Sequence, residues 1–206
     1  MSRPLLIGMA RSVYVRVALL TALEKGVALD REELDPFFPG GPPESFLRLN
    51  PFGKIPVLRH GDLTLYETQA IAAYLDEAFP GPALQPSGAA ERARMRQIQG
   101  VVDSFAYRPM VWGLYVALSE KSAEPAALAE AAAQSRRALG ALESLAAAPW
   151  LLGGNLSLAD CHLAPVIGYL AAMPEGLSLL QEYPGISSWW DRCRARSGWA
   201  TVLGST

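Results

Sequence analysis

Residues 50–75 read NPFGKIPVLRHGDLTLYETQAIAAYL. Pro56 stands between Ile55 and Val57 in a run that otherwise has strand character, and proline has no N–H to give a sheet ladder. A strand carrying it is expected to start there or to lie at an edge, and a cis bond is among the options. The runs IPVLRH and LTLYE, joined through His60-Gly61-Asp62, have the pattern of a hairpin. In TQAIAAYLDEAF, Ala70, Ile71, Tyr74 and Leu75 recur at helical spacing, so a helix is expected to follow.

Upstream, PLLIGM (4–9) is an apolar run of strand length. SVYVRVALLTALEKG places Val13, Val17, Leu20 and Leu23 at helical spacing and stops at Gly26. VALDREELD (27–35) alternates weakly, which suits a sheet edge, and GGPPESFLRLN suggests a loop with one short helical turn. The order is βαβ, then ββα. Downstream, PGPALQPSG (80–88) holds three prolines and two glycines. The expected boundary lies there, giving a domain at 1–79, a linker at 80–88 and a second domain at 89–206. That second part reads as helices from Ala89 to about Glu120, Pro125 to about Ala147, Ser157 to about Ala172 and Ile186 to about Arg196. The fold class is therefore α/β followed by all-α.

The chain has 206 residues, 18 basic and 20 acidic. A balance this even leaves no electrostatic footprint for nucleic acid or an anionic membrane, so a small molecule or another protein is the expected partner. The longest stretch without a charged side chain, Ser144–Ala159, contains Pro149, Gly153 and Gly154, which would break a spanning helix. Near the N-terminus seven uncharged residues are cut off by Arg11, too short a run for a signal peptide, and a cytoplasmic location is expected. Cys161 and Cys193 lack the C-x-x-C spacing of redox or metal chemistry, so buried free thiols are expected. With His60 and His162 the only histidines, no metal site is expected.

A thioredoxin-like α/β domain followed by a helical domain is a restricted combination. With NPFGKIPVL, LYETQAIAAYLDEAFP and LLGGNLSLADCHLAPVIGYL, the chain resembles the cytosolic glutathione S-transferases, of the bacterial, serine-type kind, over nearly its full length. The resemblance implies a detoxifying transferase that is a homodimer and takes glutathione as co-substrate with a small apolar electrophile.

Glutathione is a tripeptide with its thiol in the middle, so its site must hold a peptide backbone and leave the sulfur accessible. In the family pattern a cis Pro56 turns the strand so that the backbone of Ile55 pairs with the cysteinyl residue, as in β-augmentation. Glu67 and Thr68, where the last strand hands over to a helix, suit the γ-glutamyl end: free N–H groups face its carboxylate and the Glu67 side chain its ammonium. The family usually has serine where this chain has Thr68. Lys54 is assigned to the glycyl carboxylate, and Asp103 resembles an acid that reaches the γ-glutamyl amine of the neighbouring subunit.

Ser12 is the candidate for the chemistry. Where a glutaredoxin carries C-P-Y-C, this chain has Ser12, Val13, Tyr14 and Val15. Thiol–disulfide exchange needs a protein thiolate, which is missing there. A hydroxyl at a helix N-terminus can instead donate to a bound thiolate and lower its pKa; it can also be a plain N-cap. Tyr14 is a second hydroxyl, ranked below Ser12. For the electrophile, the segment VVDSFAYRPMVWGLY supplies Phe105, Tyr107, Met110, Trp112 and Tyr115, with Tyr14, Tyr107 and Trp112 as candidate contacts. SLAD (157–160) has the spacing of a capping box and is read as structural. A glutathione-dependent isomerase or dehalogenase, or a non-catalytic interaction protein on the same fold, are the alternatives.

Overall fold

The computed structural model describes residues 2–121 and 124–204. The chain forms two compact units, 1–84 and 85–206.

The first unit runs β1 (Leu5–Ile7), α1 (Val13–Lys25), β2 (Asp30–Glu32), α2 (Glu44–Leu47), β3 (Val57–His60), β4 (Leu63–Leu65) and α3 (Thr68–Ala78). Its four strands lie in the order β2-β1-β3-β4, with β2 parallel to β1 and the other two pairings antiparallel. This is a thioredoxin-like sheet. Alternation along each strand splits the core in two. Leu6 and Leu58 pack on one face with Val15, Ala18 and Ala22 of α1 and Ile71 and Leu75 of α3. Ile7 and Val57 turn to the other face and pack with Phe46 of α2. Helix α1 ends at Gly26, whose left-handed φ of 68° closes the cap. Leu23, expected on its apolar face, is exposed instead. The strand expected over 27–35 contracts to three exposed, charged residues, a usual guard on a sheet edge.

A feature with no sequence signal closes this unit. Lys25, at the end of α1, is buried and pairs with the buried Asp76 of α3 at 3.1 Å. Its Nζ also donates to the Pro82 carbonyl at 2.9 Å, and the Asp76 carboxylate accepts the Leu84 N–H at 2.8 Å. Both charges thus gain the hydrogen bonds that burial demands.

The second unit begins with α4 (Ala89–Val101), continues through two π-helical segments, Val102–Ala106 and Arg108–Val116, and ends its first long stretch in α5 (Ala117–Ser119). The widening is visible where the Tyr107 N–H reaches back five residues to the Val102 carbonyl. Pro109, with no N–H of its own, opens the second segment. Then come α6 (Pro125–Leu145), α7 (Leu158–Ala171), α8 (Pro174–Gln181), α9 (Pro184–Ala195) and α10 (Trp199–Leu203). Helix α7 is mostly apolar and buried without a break from Leu158 to Gly168, which makes it the central element of this unit. Helices α8 and α10 were not expected from the sequence, and α9 starts at Pro184 rather than Ile186. Proline at a first helical position is favourable, since its missing N–H would have been unpaired there. The Glu143 carboxylate of α6 then accepts the N–H groups of Gly185 and Ile186, both at 2.8 Å.

The capping box at the start of α7 forms: the Ser157 N–H donates to Asp160 Oδ2 at 2.8 Å and the Ser157 oxygen accepts from the first turn. Asp160 reaches further than a cap. Buried, it also accepts from the Ser157 hydroxyl, the Leu151 N–H and the Trp189 indole N–H, at 2.8, 2.9 and 2.8 Å. Burial pushes its carboxyl up, and these four donors pull the other way. Cys161 and Cys193 are buried free thiols, and burial raises the Cys193 thiol far above its ordinary range, which leaves it inert. Among the described residues no helix is long and apolar enough to cross a membrane.

Candidate functional site

Strand directions bring the candidate residues of the first unit to one end of its sheet. Ile7, the last residue of β1, is the register partner of Val57, the first of β3, and Leu58 is the partner of Leu65, the last of β4. The turn that leads to Ser12, the Ile55–Pro56 peptide and the Tyr66–Thr68 turn therefore all lie at that end. Gly8 shows how tightly they pack. A Cβ there would fall 2.6 Å from Val15 Cγ2 and 3.1 Å from Ile55 Cβ, so only glycine lets β1, α1 and the loop before β3 approach this closely.

Ser12 is the N-cap of α1. Its φ and ψ of −71° and 129° are extended, and its oxygen accepts the Val15 N–H at 3.4 Å. That bond uses the oxygen as an acceptor; a hydroxyl has in addition one O–H to donate. Before it, Arg11 pairs with Asp35 at 3.1 Å. Tyr14 is half-buried in the first turn of α1.

The Ile55–Pro56 peptide is cis. Pro56 is buried and Ile55 half-buried, and among the described residues the backbone of Ile55 takes no main-chain partner. The loop before it is held by Asn50, which the sequence did not single out. Asn50 is buried, donates to the Lys54 carbonyl at 2.7 Å and accepts the Phe52 N–H at 3.1 Å, an Asx-turn. The Lys54 side chain is exposed.

Glu67 is exposed and has φ 69° and ψ 113°, a left-handed value that a non-glycine residue adopts at a cost of about 1 to 3 kcal/mol. Its carbonyl accepts the Ile71 N–H as the cap of α3, and Thr68 is buried at the first helical position. The N-cap residue Glu67 makes no side-chain cap bond to α3.

In the second unit, Asp103 Oδ1 accepts a hydrogen bond from Nε2 of buried His162 at 2.7 Å, with the Asp103 side chain 32% exposed. Tyr107 and Trp112 are joined by an indole N–H to phenol oxygen bond of 2.9 Å. Phe105 is exposed, and Tyr115 packs edge-on against Tyr169. Met110 is fully buried, which removes it from any ligand-facing surface.

Residues 6–83 match the family model described as Glutathione S-transferase, N-terminal domain, and residues 125–192 the model described as Glutathione S-transferase, C-terminal domain. Over 193 residues the chain is 29% identical to Glutathione S-transferase F10 of Arabidopsis thaliana, covering 90% of this chain and 89% of the relative. It is also 31% identical over 156 residues to a stringent starvation protein A homolog of Haemophilus ducreyi, covering 75% of this chain and 69% of that one. Among solved structures, the theta class glutathione S-transferase from the citrus canker pathogen Xanthomonas axonopodis pv. citri, with glutathione bound, is similar with a TM-score of 0.85 and 31% identity. The likeness covers 100% of this chain and 99% of that chain.

Proposed function

This chain belongs to the glutathione S-transferase family, and on that premise we propose that it binds glutathione on its first unit and activates the thiol with Ser12 for attack on an apolar electrophile. The observation that carries the proposal is the convergence of three features at one end of the sheet. Ser12 caps a helix through its oxygen acceptor while having an O–H to donate. Ile55 offers an unladdered backbone beside a cis proline. Glu67 holds a strained turn at a helix start that its own side chain does not cap.

Each suits one part of the tripeptide. The backbone of Ile55 pairs with the cysteinyl residue in the manner of an added strand. The first N–H groups of α3 and the Thr68 hydroxyl take the γ-glutamyl carboxylate, with the Glu67 side chain on its ammonium. Lys54 takes the glycyl carboxylate. Ser12 donates to the sulfur, which stabilises the thiolate and raises its fraction at neutral pH. Tyr14, on the same unit, contacts the electrophile.

The strain at Glu67 gives a test that separates binding from folding. Glu67→Gly removes the ammonium contact and also the steric cost of a positive φ. Calorimetry is expected to show glutathione bound about tenfold or more weakly, as the loss of a charge-assisted bond of about 1.5 to 3 kcal/mol requires. The thermal midpoint should hold or rise. Parent-like affinity would remove Glu67 from the site.

The proposal includes a two-fold homodimer in which Asp103, oriented by His162, faces the γ-glutamyl amine of the neighbouring subunit's glutathione. Sedimentation is expected to give a dimer at micromolar concentration; a stable monomer would sink both the dimer and that role of Asp103.

The Haemophilus relative bears a name that is not a transferase's. A non-catalytic interaction protein on the same fold is therefore the second reading, beside an isomerase or dehalogenase on the same scaffold. Binding to immobilised glutathione separates the non-catalytic reading from the enzymes, and assays with aryl halides, epoxides and maleyl compounds separate the enzymes from one another.

A further inference from the structure

Arg11 and Asp35 form an ion pair at the turn that delivers Ser12. Arg11 Nη2 lies 3.1 Å from Asp35 Oδ2, and Arg11 Nε donates to Met9 Sδ at 3.0 Å. The Met9 carbonyl in turn accepts the Ser12 N–H at 3.0 Å. The guanidinium is thus fixed against the same short turn that Ser12 closes. Asp35, in the segment after β2, is engaged through both oxygens, since its Oδ1 accepts the Phe37 N–H at 2.8 Å. All of these groups belong to the first unit. The two side chains are 70% and 42% exposed, and an ion pair so open to water adds little to stability. Beside a titrating group, however, each charge shifts that group's equilibrium in a direction set by its sign.

We propose that Arg11 and Asp35 are an opposed pair of charges that sets the acidity of the thiol bound at Ser12, with Arg11 cancelling the carboxylate that holds the loop after β2. The inference rests on the reading that glutathione binds with its sulfur at Ser12, and it adds two residues that act on the thiolate through their field rather than by contact. A carboxylate at this turn disfavours a thiolate beside Ser12, and a guanidinium favours it. Asp35 supplies the acceptor for the Phe37 N–H, and the positive charge at Arg11 offsets the negative charge that this acceptor brings. Other ionisable groups at this end of the sheet are Tyr14, Arg16, Glu32, Glu33, Lys54 and Glu67, with Arg16 Nε donating to the Ala10 carbonyl at 3.1 Å. They are common to every variant compared below, so their contribution cancels.

Titration of the bound glutathione thiolate by its ultraviolet absorbance tests the sign. Arg11→Gln leaves Asp35 uncancelled and is expected to raise the thiol's midpoint by about half a pH unit, the effect of one unit charge acting over a short distance through a largely aqueous medium. Near neutral pH that is about a threefold smaller thiolate fraction. Asp35→Asn keeps an oxygen for the Phe37 N–H but removes the charge, so the midpoint should fall by a similar amount. Arg11→Lys, which keeps the charge, and the double variant Arg11→Gln/Asp35→Asn, which removes both, should titrate close to the parent. Added salt should shrink both shifts, and thermal midpoints should stay near the parent's, as for an exposed pair. A mechanical fastening of the turn would instead make both single variants loosen Ser12 and move the midpoint upward. Shifts in the same direction, or no shift in either variant, with glutathione still bound, overturn the role of this pair alone. Absence of glutathione binding to the parent in calorimetry overturns the binding reading and this inference with it.

Discussion

Ser12→Ala is expected to lower kcat/KM for conjugation near neutral pH by about a hundredfold to a thousandfold, the cost of one preorganised donor of about 2.7 to 4 kcal/mol in a dry site. Glutathione affinity should stay nearly level, because in the proposed arrangement the peptide is held by Ile55, Glu67 and Thr68. Loss of the cap itself costs about 1 kcal/mol of stability, since the oxygen also accepts the Val15 N–H; a small drop in thermal midpoint is therefore part of the expected result. The pH profile distinguishes the two roles. Without the donor the thiol titrates higher, so the deficit is largest near neutrality and shrinks as rising pH supplies thiolate. A cap acts equally at every pH. Ser12→Cys makes the converse change, placing an acidified thiol at a helix N-terminus, where it should form a mixed disulfide with glutathione and trade conjugation for exchange. Steady-state rates across the pH range decide it, and a Ser12→Ala profile that overlays the parent's leaves the serine as a cap only.

Asp160→Ala is expected to have the largest effect on stability. Four donors from three residues, Leu151, Ser157 and Trp189, converge on this buried carboxylate. Removing it strands them where water is excluded, at about 1 to 3 kcal/mol for each unsatisfied group, so a loss of about 3 to 5 kcal/mol is expected. Against a total stability of about 5 to 15 kcal/mol that is a large share. Ser157→Ala provides the comparison: it removes a cap and leaves Asp160 its bonds from Leu151, Trp189 and the residue 157 N–H, for about 1 kcal/mol. Urea denaturation followed by circular dichroism reads both. An Asp160→Ala midpoint no lower than that of Ser157→Ala would reduce Asp160 to an ordinary capping-box member.

The contrast between local and distant contacts explains what the sequence made legible. Pro56 announced itself, because a proline in a strand run has few places to be, and the hairpin, α1, α3 and the capping box followed from spacing within a dozen residues. The same letters S-L-A-D say nothing of Leu151 or Trp189, which reach Asp160 from elsewhere in the chain. Lys25 and Asp76 look like two ordinary surface charges until the sheet brings α1 and α3 together. Helices α8 and α10 were not expected; Pro174 supplies the first helical position of one and Gly198 the N-cap of the other. At the candidate site, Ser12 and Glu67 were legible as residue types at turns. The left-handed φ of Glu67, the Asn50 Asx-turn and the 2.6 Å approach that excludes a side chain at Gly8 depend on tertiary geometry, which no periodicity encodes.

The central claim is that this chain stabilises the thiolate of bound glutathione through Ser12. A spectroscopic titration of the glutathione thiolate at saturating protein tests it without any electrophile. A free cysteine thiol titrates near about 8.5. The account predicts a bound thiol that titrates clearly below that in the parent and returns toward it in Ser12→Ala, with glutathione still bound. A bound thiol that titrates at the free value in the parent, or equally low in both proteins, would contradict it.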